Sequence, residues 1–478
     1  MLFEKSLVHS WHSRRRAPQR LVLPPRGPVI VRIPRRVFTA MHADLGRPHP
    51  FAAERIGFLA FAAGLGETGE HLLLAREYFS IPDHQYIRDH RAGARIGNDA
   101  IRWALQRILD SGLGLFHVHS HGGTDSPMFS GTDVAEQPRL VASFCSVGPE
   151  APHGMLLLSS HTANAWVWLP SATAPVVAAQ VSIVGYPLFS SIPPAADRAG
   201  YSLPKQSGER FTRQSFLGPR AQNIFDYVRI GVVGLGGGGS HIVQQVGHVG
   251  VRCVRGFDGD TVEPSNLNRL IGAGARDGVK NTPKVKVAQR LLRFISGRRD
   301  EKMHFGQWEQ HAEALRSCDV VIGCLDTFAA RRDLEATCRR WLIPYIDIGM
   351  DVHQVGTHPP RVGGQLILSM PGELCMHCVG FLTPERLAQE AAHYGAAGGR
   401  PQVVWPNGVL ASTAVGVFVD LVTGWTRRQG HLVYLSYDGN NGTVAEHPRL
   451  PYLPQAQCPH YPLSEVGMPV FRPVGATP

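Results

Sequence analysis

The stretch that most constrains this chain is IGVVGLGGGGSHIVQQVGHVGVRCVRGFDGD, residues 230–260, where an apolar strand at 230–233 runs into six residues of which five are glycine. Gly234, Gly236 and Gly239 set out G-x-G-x-x-G between that strand and a helix expected over residues 240–249. Glycine lets the backbone turn tightly and approach a phosphate, while the helix N-terminus offers unpaired N–H groups and a positive dipole end. An acidic residue is then expected about 20 residues on, at the end of the next strand, to accept a ribose hydroxyl. Asp258 and Asp260 stand there. A glycine-rich loop that merely turns the chain is the alternative, and the surrounding residues decide between the two.

At 478 residues the chain exceeds one ordinary core, so two domains with connecting segments are expected, and a hydrophobic content of 43% is enough to build them. Much of the net charge of +10 comes from HSWHSRRRAPQRLVLPPRGPVIVRIPRR near the N-terminus. Such a segment calls for an acidic partner or is a solvated basic tail. With no base-reading module beside it, nucleic acid is a secondary expectation. Eight cysteines are scattered, and only Cys375 and Cys378 form a close C-x-x-C pair. This pattern fits a reducing cytosol with one metal knuckle better than a disulfide framework. The N-terminus carries arginines without the continuous apolar core of a signal peptide. The best apolar run, 408–425, is short and contains Asp420, so it reads as a buried helix and not a membrane span.

Four segments are expected: a basic, proline-rich tail at 1–27, an α/β domain at 28–190, a linker at 191–207 and a second α/β domain at 208–470. The first domain opens with a strand (VIVRI), a helix (RRVFTAMHADLG), two strands (ERIGFLAFAAG and HLLLAREYFSI) and a helix (NDAIRWALQRILDSG) that Asn98 or Asp99 can cap. The strand LFHVHSH and a pair, GMLLLSS and ANAWVWLP, follow.

The polar centre of that domain is HVHSHGGTDSPMFSGTD. His119 and His121 alternate on a strand and so face one way, and Asp133 follows at the start of a helix. Two histidines and a carboxylate are a standard catalytic zinc set with a fourth position left for water. An ordinary polar surface loop is the bland alternative, which three candidate ligands within one short stretch disfavour. This region resembles the JAMM (MPN+) metalloprotease family, whose signature is a distant Glu, then H-[ST]-H, then S-x-x-D. His119, Ser120 and His121 match the first cluster, Ser130 and Asp133 the second, and Glu54 in FAAERIGFLAF the glutamate. The resemblance implies a zinc held by His119, His121 and Asp133, with Glu54 as general base and acid and Ser130 helping to hold the tetrahedral oxyanion. The loop from His121 to Ser130 is one residue longer than the family usually has, and Gly122 stands where proline is common. His117 reads as a neighbour of the ligands.

After the linker, RFTRQSFLG places Arg210 and Arg213 three residues apart, on one face of a helical turn. Downstream of the glycine loop come TVEPSNLNRL, NTPKVKVAQRLL and VVIGCLDTFAARRDLE, none of which a dehydrogenase needs. A site that bends a triphosphate toward an attacking carboxylate needs cations on the phosphates, a carboxylate for magnesium and polar anchors; Arg269, Lys284 and Asp326 are of those kinds. From RFTRQ through DGDTVEPSNLNR, TPKVK and CLDTFAAR to NGVLASTAVGVFVDLVTGW and YLSYDGNNGTV, the domain resembles the ubiquitin-activating-enzyme-like adenylyltransferases of the ThiF type. That family includes the enzymes activating the sulfur carriers of thiamine and molybdopterin synthesis. The resemblance implies a Rossmann-like fold in which Gly234, Gly236, Gly237 and Gly239 lie against ATP and Asp258 holds the ribose. Asn266 and Arg269 would bind the phosphates, Lys284 would neutralise charge at the reacting phosphate, and Asp326 would hold Mg2+. Arg213 would reach into the partner subunit's site, which implies a homodimer.

Relatives also hold a structural zinc between two C-x-x-C pairs. Cys375 and Cys378 supply the first; the second becomes Cys458-Pro-His-Tyr461, so Cys458 remains and His460 would have to serve as the fourth ligand. The cysteine that some relatives use for a thioester falls at Val404, and 379–407 contains none, so the acyl group is expected to pass to a thiol on another protein or to a sulfide donor. Cys253, Cys318, Cys324 and Cys338 read as buried structural thiols. Together these expectations describe a cytoplasmic enzyme that adenylates the C-terminal glycine of a ubiquitin-like protein and, with zinc, processes that protein or removes it from conjugates. Three alternatives remain. One is a sulfur-carrier activator in cofactor or cysteine synthesis, and another a metalloprotease whose second half only binds the ubiquitin-like protein. The third, a nicotinamide-dependent oxidoreductase, is permitted by the glycine loop alone.

Overall fold

The computed structural model describes residues 27–49, 54–89, 93–121, 127–191, 208–296, 300–354, 356–392, 401–428, 432–453 and 457–468. The basic tail expected at the N-terminus, up to residue 26, and the linker from residue 192 lie outside the described residues, as does Gly122.

The first half is a nine-stranded sheet with helices. In chain order it comprises β1 (Val29–Pro34), α1 (Arg35–Leu45), β2 (Ile56–Leu65), β3 (His71–Ser80), α2 (Asn98–Ser111), β4 (Gly114–Ser120), α3 (Gly131–Val147), β5 (His153–Leu158), β6 (Ala163–Trp168), β7 (Val176–Val177), β8 (Gln180–Val184) and β9 (Phe189–Ser191). The strands lie in the order β7-β6-β5-β4-β2-β3-β1-β8-β9. Helix α2 begins where its apolar period predicts, but the residue at its N-cap is Gly97 and no side chain caps it. Asn98 and Asp99 fall inside the first turn, where Asp99 meets the positive end of the helix dipole.

The second half contains α4 (Ala221–Tyr227), β10 (Arg229–Val233), α5 (Gly237–Val249), β11 (Cys253–Asp258), α6 (Ala275–Val279), α7 (Lys284–Ser296), β12 (Asp300–Phe305), α8 (Ala312–Arg316), β13 (Val320–Gly323), α9 (Phe328–Arg340), β14 (Tyr345–His353), β15 (Arg361–Ser369), α10 (Pro384–Ala392), α11 (Val404–Thr423), β16 (Val433–Asp438) and β17 (Thr443–Glu446). These strands form one sheet in the order β12-β11-β10-β13-β14-β15-β16-β17. The pairs from β12 to β14 are parallel and those from β14 to β17 antiparallel. Strand β10, RIGVV, is buried along its whole length, as a central parallel strand covered on both faces must be. The chain leaves β10 toward β11 on one side and returns to β13 on the other. That reversal opens a crevice at the carboxyl ends of these strands, where ligands of such sheets bind.

The apolar run at 408–425 lies mostly in α11, which is long and apolar enough to cross a membrane by length and composition, with 67% of its apolar window buried inside the protein. Its one carboxylate, Asp420, is buried and accepts hydrogen bonds from the Tyr186 hydroxyl at 2.5 Å, the Thr426 amide at 2.9 Å and the Thr426 hydroxyl at 2.6 Å.

The two sheets share a core. Ile30, Leu72, Leu74 and Val184 from the first half pack into the same apolar cluster as Ile230, Val232, Leu315 and Trp341. Burying side chains of this kind contributes about 1.5–3 kcal/mol each. Polar contacts surround the seam. Buried Arg32 donates to the carbonyls of Trp341 and Cys318, each at 2.8 Å, and Gln180 donates to Asp319 at 2.8 Å. Arg229, Cys318 and Asp319 all stand at the amino ends of β10 and β13, so the first half docks on the side of the second sheet opposite its crevice.

Candidate functional site

Gly234 follows directly on β10 with φ +85°, a left-handed backbone that favours glycine, and a Cβ there would lie 2.4 Å from the Cys324 carbonyl oxygen. A Cβ on Gly239 would lie 1.9 Å from the Gly234 carbonyl oxygen. These two glycines let the loop fold flat over the strand ends. Helix α5 starts at Gly237, three residues before the sequence-based boundary of 240, because the glycine run itself supplies its first turn. Its free N–H groups therefore open directly into the crevice.

A cavity of about 240 Å³ fills the crevice; Gly234, Gly236, Gly237, Asp258, Asn266, Arg269, Lys284 and Asp326 all line it. Gly239 is the exception among the expected phosphate-side residues, since it supports the loop from beneath. Asp258 ends β11, and its carboxylate accepts the Leu235 amide at 2.6 Å and the Asp260 amide at 2.8 Å. Burial raises its pKa, and the Lys284 ammonium offsets part of the rise. So Asp258 fixes the glycine loop, a task that its sequence-derived role toward a ribose did not include, while its remaining acceptor sites face the cavity. Lys284 opens α7 and pairs with Asp260 at 2.7 Å. Arg269 is held by the Ser265 carbonyl at 2.8 Å and the Asn268 side chain at 2.9 Å. The Ser240 hydroxyl accepts the Ile271 amide at 3.0 Å, which ties the Arg269 segment to α5. Glycine N–H groups, two cations and a carboxylate on one wall suit a nucleotide polyphosphate with a divalent cation.

Two further side chains line the cavity, and a third braces the helix beside it. Arg331 sits five residues after Asp326 in CLDTFAARRDLE; it is buried, bonds to Asp347 and the Leu325 carbonyl, and donates to the Ile348 carbonyl at 3.1 Å. Asn407, from the NGVL segment, lines the cavity against Gly237, where a Cβ would lie 2.7 Å from its amide nitrogen. The Glu390 carboxylate of α10 caps α9 by accepting the Phe328 and Ala329 amides, both at 2.9 Å. Arg331 and Asn407 lie inside stretches that the sequence marks as matching, yet nothing in residue type alone separates a cavity residue from a core one there. Cys253, Cys318 and Cys338 are buried, and burial pushes the Cys253 thiol up to about 11 and Cys318 up to about 12. Cys324 differs from the expectation in being only partly buried, in the cavity wall. Arg213 is exposed on the 3-10 turn Gly208–Leu217 and does not line the cavity of its own chain, whereas Arg210 donates back to the Gly247 carbonyl at 3.2 Å.

In the first half, β4 carries His119, and His121 follows one residue past the strand end. Their rings are 5.0 Å apart, and Glu54, two residues before β2, completes a set whose ligand atoms lie within 4.8 Å of one another. Asp133 approaches from the start of α3, with its carboxylate 3.2 Å from His119 Nε2 and 3.5 Å from His121 Nε2. All four side chains thus meet. Burial would raise the Asp133 carboxyl, but hydrogen bonding and charge from His119, with the Ser130 amide, hold it well below the usual carboxylate range. Ser130 is the N-cap of α3: its hydroxyl accepts the Asp133 amide, and Asp133 accepts the Ser130 amide at 2.7 Å. Ser130 thus has a structural role that the sequence reading did not include, holding Asp133 in place. His117 lies one further step down β4, its ring 5.8 Å from that of His119.

A second cluster joins Cys375, Cys378, Cys458 and His460, with all four ligand atoms within 4.8 Å. The Cys375–Cys378 sulfurs are 3.6 Å apart, Cys378–Cys458 3.5 Å, and His460 Nδ1 is 3.5 Å from Cys375 and 3.4 Å from Cys378. A tetrahedron with metal–ligand bonds near 2.0–2.3 Å has edges of about 3.3–3.8 Å, so this Cys3His set is already the right size for zinc. His460 thus takes the place that the missing fourth cysteine left open.

A profile of the ThiF family matches residues 210–460. Among curated proteins, the chain is 28% identical over 163 residues to ubiquitin-like modifier-activating enzyme 5 of Dictyostelium discoideum, covering 31% of this chain and 40% of that one. It is 26% identical over 269 residues to the enzyme of the same name from Drosophila grimshawi, covering 50% and 61%. The chain thus spans only about 40% of the length of the Dictyostelium relative. Among solved structures, E. coli MccB with ATP is similar at a TM-score of 0.42 and 16% identity, covering 51% of this chain and 73% of that one. PaaA is similar at a TM-score of 0.41 and 19% identity, covering 52% and 86%.

Proposed function

Because the chain belongs to the ThiF family, as its match over residues 210–460 shows, we propose that it adenylates the C-terminal glycine of a ubiquitin-like or sulfur-carrier protein. One observation carries the reading: Gly237, Asn266, Arg269, Lys284 and Asp326 converge on a single cavity at the carboxyl ends of β10, β11 and β13. In the proposed reaction a carboxylate oxygen of the bound tail attacks the α-phosphorus of ATP. The bond from that phosphorus to the bridging oxygen breaks, and pyrophosphate leaves with the electron pair. Arg269 and Lys284 stabilise the charge that builds on the phosphates, and the α5 N–H groups orient them. Asp326 would hold Mg2+, which would neutralise charge on the phosphates. Arg213 would enter the partner subunit's cavity, making the homodimer the active unit. The acyl group then passes to a thiol on a conjugating protein or to a sulfide donor. The setting proposed for this chemistry is a reducing cytoplasm, as the scattered cysteines and lone C-x-x-C pair of the sequence suggest.

The cluster of Glu54, His119, His121 and Asp133 favours a second activity on the same chain, a JAMM-type cleavage of the same protein's precursor tail or conjugates. The two imidazoles and one carboxylate would hold zinc, which would activate water and polarise the scissile carbonyl. Glu54, partly exposed and 3.7 Å from His121, would move the proton from water to the leaving amine.

Pyrophosphate exchange into ATP tests the main reading. It should require both Mg2+ and a glycine-ended ubiquitin-like protein, and Asp326→Ala should abolish it. Absence of exchange with a partner that binds would leave only the binding-module alternative.

A further inference from the structure

We infer that Glu67, which belongs to the N-terminal half, is a positioning residue for the nucleotide cavity of the other half; the inference rests on reading that cavity as an ATP site. Glu67 sits at the tip of the β2–β3 hairpin, and the tip is locked in place. Its amide donates to the Ser317 hydroxyl at 2.8 Å, and a Cβ on neighbouring Gly66 would lie 2.5 Å from that same oxygen.

From there the Glu67 carboxylate reaches across to three cationic or basic side chains of the second sheet. It lies 3.1 Å from Arg255 Nε, 3.1 Å from Lys302 Nζ and 3.6 Å from His304 Nε2. Arg255 and Lys302 are paired across β11 and β12 in register, and Phe257 is paired with His304 two residues on. Like charges directly opposite on neighbouring strands repel. Asp300 pairs with Arg255 at 3.1 Å, and Glu67 supplies the carboxylate that Lys302 also meets.

What this holds is the edge of the sheet. Strand β12 is the edge strand and, among the described strands, pairs with β11 alone. Immediately after β12 the chain turns into the cavity with Gly306, Gln307 and Trp308. The His304 ring stacks on Phe257, another cavity residue, at 5.0 Å, and lies 4.8 Å from His311 at the far side of the turn. Glu67 is thus one side chain away from the cavity wall, through His304 to Phe257, and it also holds Lys302 on the strand that leads into Trp308. The docked half completes the nucleotide site from beneath as well as carrying its own cluster.

The test is the dissociation constant of MgATP measured by calorimetry on the full chain, with a melting curve for each variant. Glu67→Gln keeps shape and removes charge, and should weaken MgATP about three- to tenfold. Glu67→Asp, which keeps the charge, should stay closer to the wild type. Glu70→Gln breaks a different ion pair of the same seam, on Arg229, and should lower the melting temperature while leaving the MgATP constant unchanged. Equal affinity in Glu67→Gln and the wild type overturns the inference, as does an equal loss in Glu70→Gln or an Asp variant as weak as the Gln variant. A wild-type chain that does not bind MgATP overturns instead the reading of the cavity.

Discussion

The Glu70 carboxylate lies 2.9 Å from the Arg229 guanidinium, with 2% and 9% of their side chains exposed, where the β2–β3 hairpin meets the first residue of β10. Arg229 is also five residues from the glycine loop, so the pair joins the N-terminal half to the strand that carries the nucleotide motif. Removing one partner of a buried pair strands the other charge and costs about 3–5 kcal/mol. Glu70→Ala should therefore shift the denaturant midpoint of both halves together, since Leu72 and Leu74 bury in the same cluster as Ile230 and Val232. Two separated transitions, with only one of them moved, would show that the seam does not couple the halves.

The same pair sets a pH dependence. Burial alone would raise the Glu70 carboxyl, but the Arg229 charge and the Thr68 amide outweigh it and hold it below the ordinary value of 4.5. A depressed carboxyl stabilises the fold fully above the unfolded-state value and loses that contribution as pH falls through the folded-state value. Melting temperature should thus decline as pH drops below 4.5, and Glu70→Gln should flatten that part of the curve. Parallel curves for the two proteins would assign the acid lability to other carboxylates.

Zinc at the Cys3His cluster should be a structural requirement. Cys375 and Cys378 lie in the turn after β15, while Cys458 and His460 belong to the C-terminal segment, so the cluster fastens chain ends more than 75 residues apart. Stripping the metal should lower the melting temperature by about 5 °C or more, and added zinc should restore it. His460→Ala should weaken zinc retention during chelation; a variant that holds zinc as firmly as the parent would remove His460 from the ligand set.

Much of this arrangement was legible because local pattern dictates it. The glycine run, β10 and Asp258 follow from backbone sterics and a strand period, and the spacing of His119, His121 and Asp133 lets their side chains meet. Helix caps are less legible: Gly97 supplies no side-chain oxygen, so the sequence points to Asn98 or Asp99, one or two residues too late. Arg331 and Asn407 were hidden for a different reason. An arginine inside a helix and an asparagine before an apolar run look ordinary until tertiary packing turns them into the cavity. The seam was illegible altogether, since Glu67 and Arg255 are 188 positions apart and no periodicity links them.

Ser130 offers a way to separate cap from chemistry in the N-terminal cluster. Its hydroxyl and amide hold Asp133 in a reciprocal cap, and Asp133 in turn faces both histidines. Ser130→Ala should cost about 1 kcal/mol of stability from the lost cap. It should also weaken zinc binding at this cluster by roughly 10–100-fold, the usual effect of releasing a ligand's outer partner. On the proposed metalloprotease reading, Glu54→Gln should instead abolish peptidase activity while leaving pyrophosphate exchange intact. Loss of both activities in Glu54→Gln would mean that the two sites do not work independently.

Arg213 gives the sharpest test of assembly. It is exposed on the turn that precedes α4 and takes no part in its own chain's cavity, so a catalytic role requires a second copy. Exposed Phe216 and Trp425 pack edge-to-face at 5.4 Å, the Phe216 ring on the turn that carries Arg213. In a dimer of one Arg213→Ala chain and one Asp326→Ala chain, the first chain's cavity keeps Asp326 and receives an intact Arg213 from its neighbour. The other cavity lacks both. Random mixing makes half the dimers mixed, each with one working site, so exchange activity should recover to about one quarter of wild type from two inactive parents. If the mixture stays as inactive as its components under conditions where subunits exchange, Arg213 does not act across a dimer.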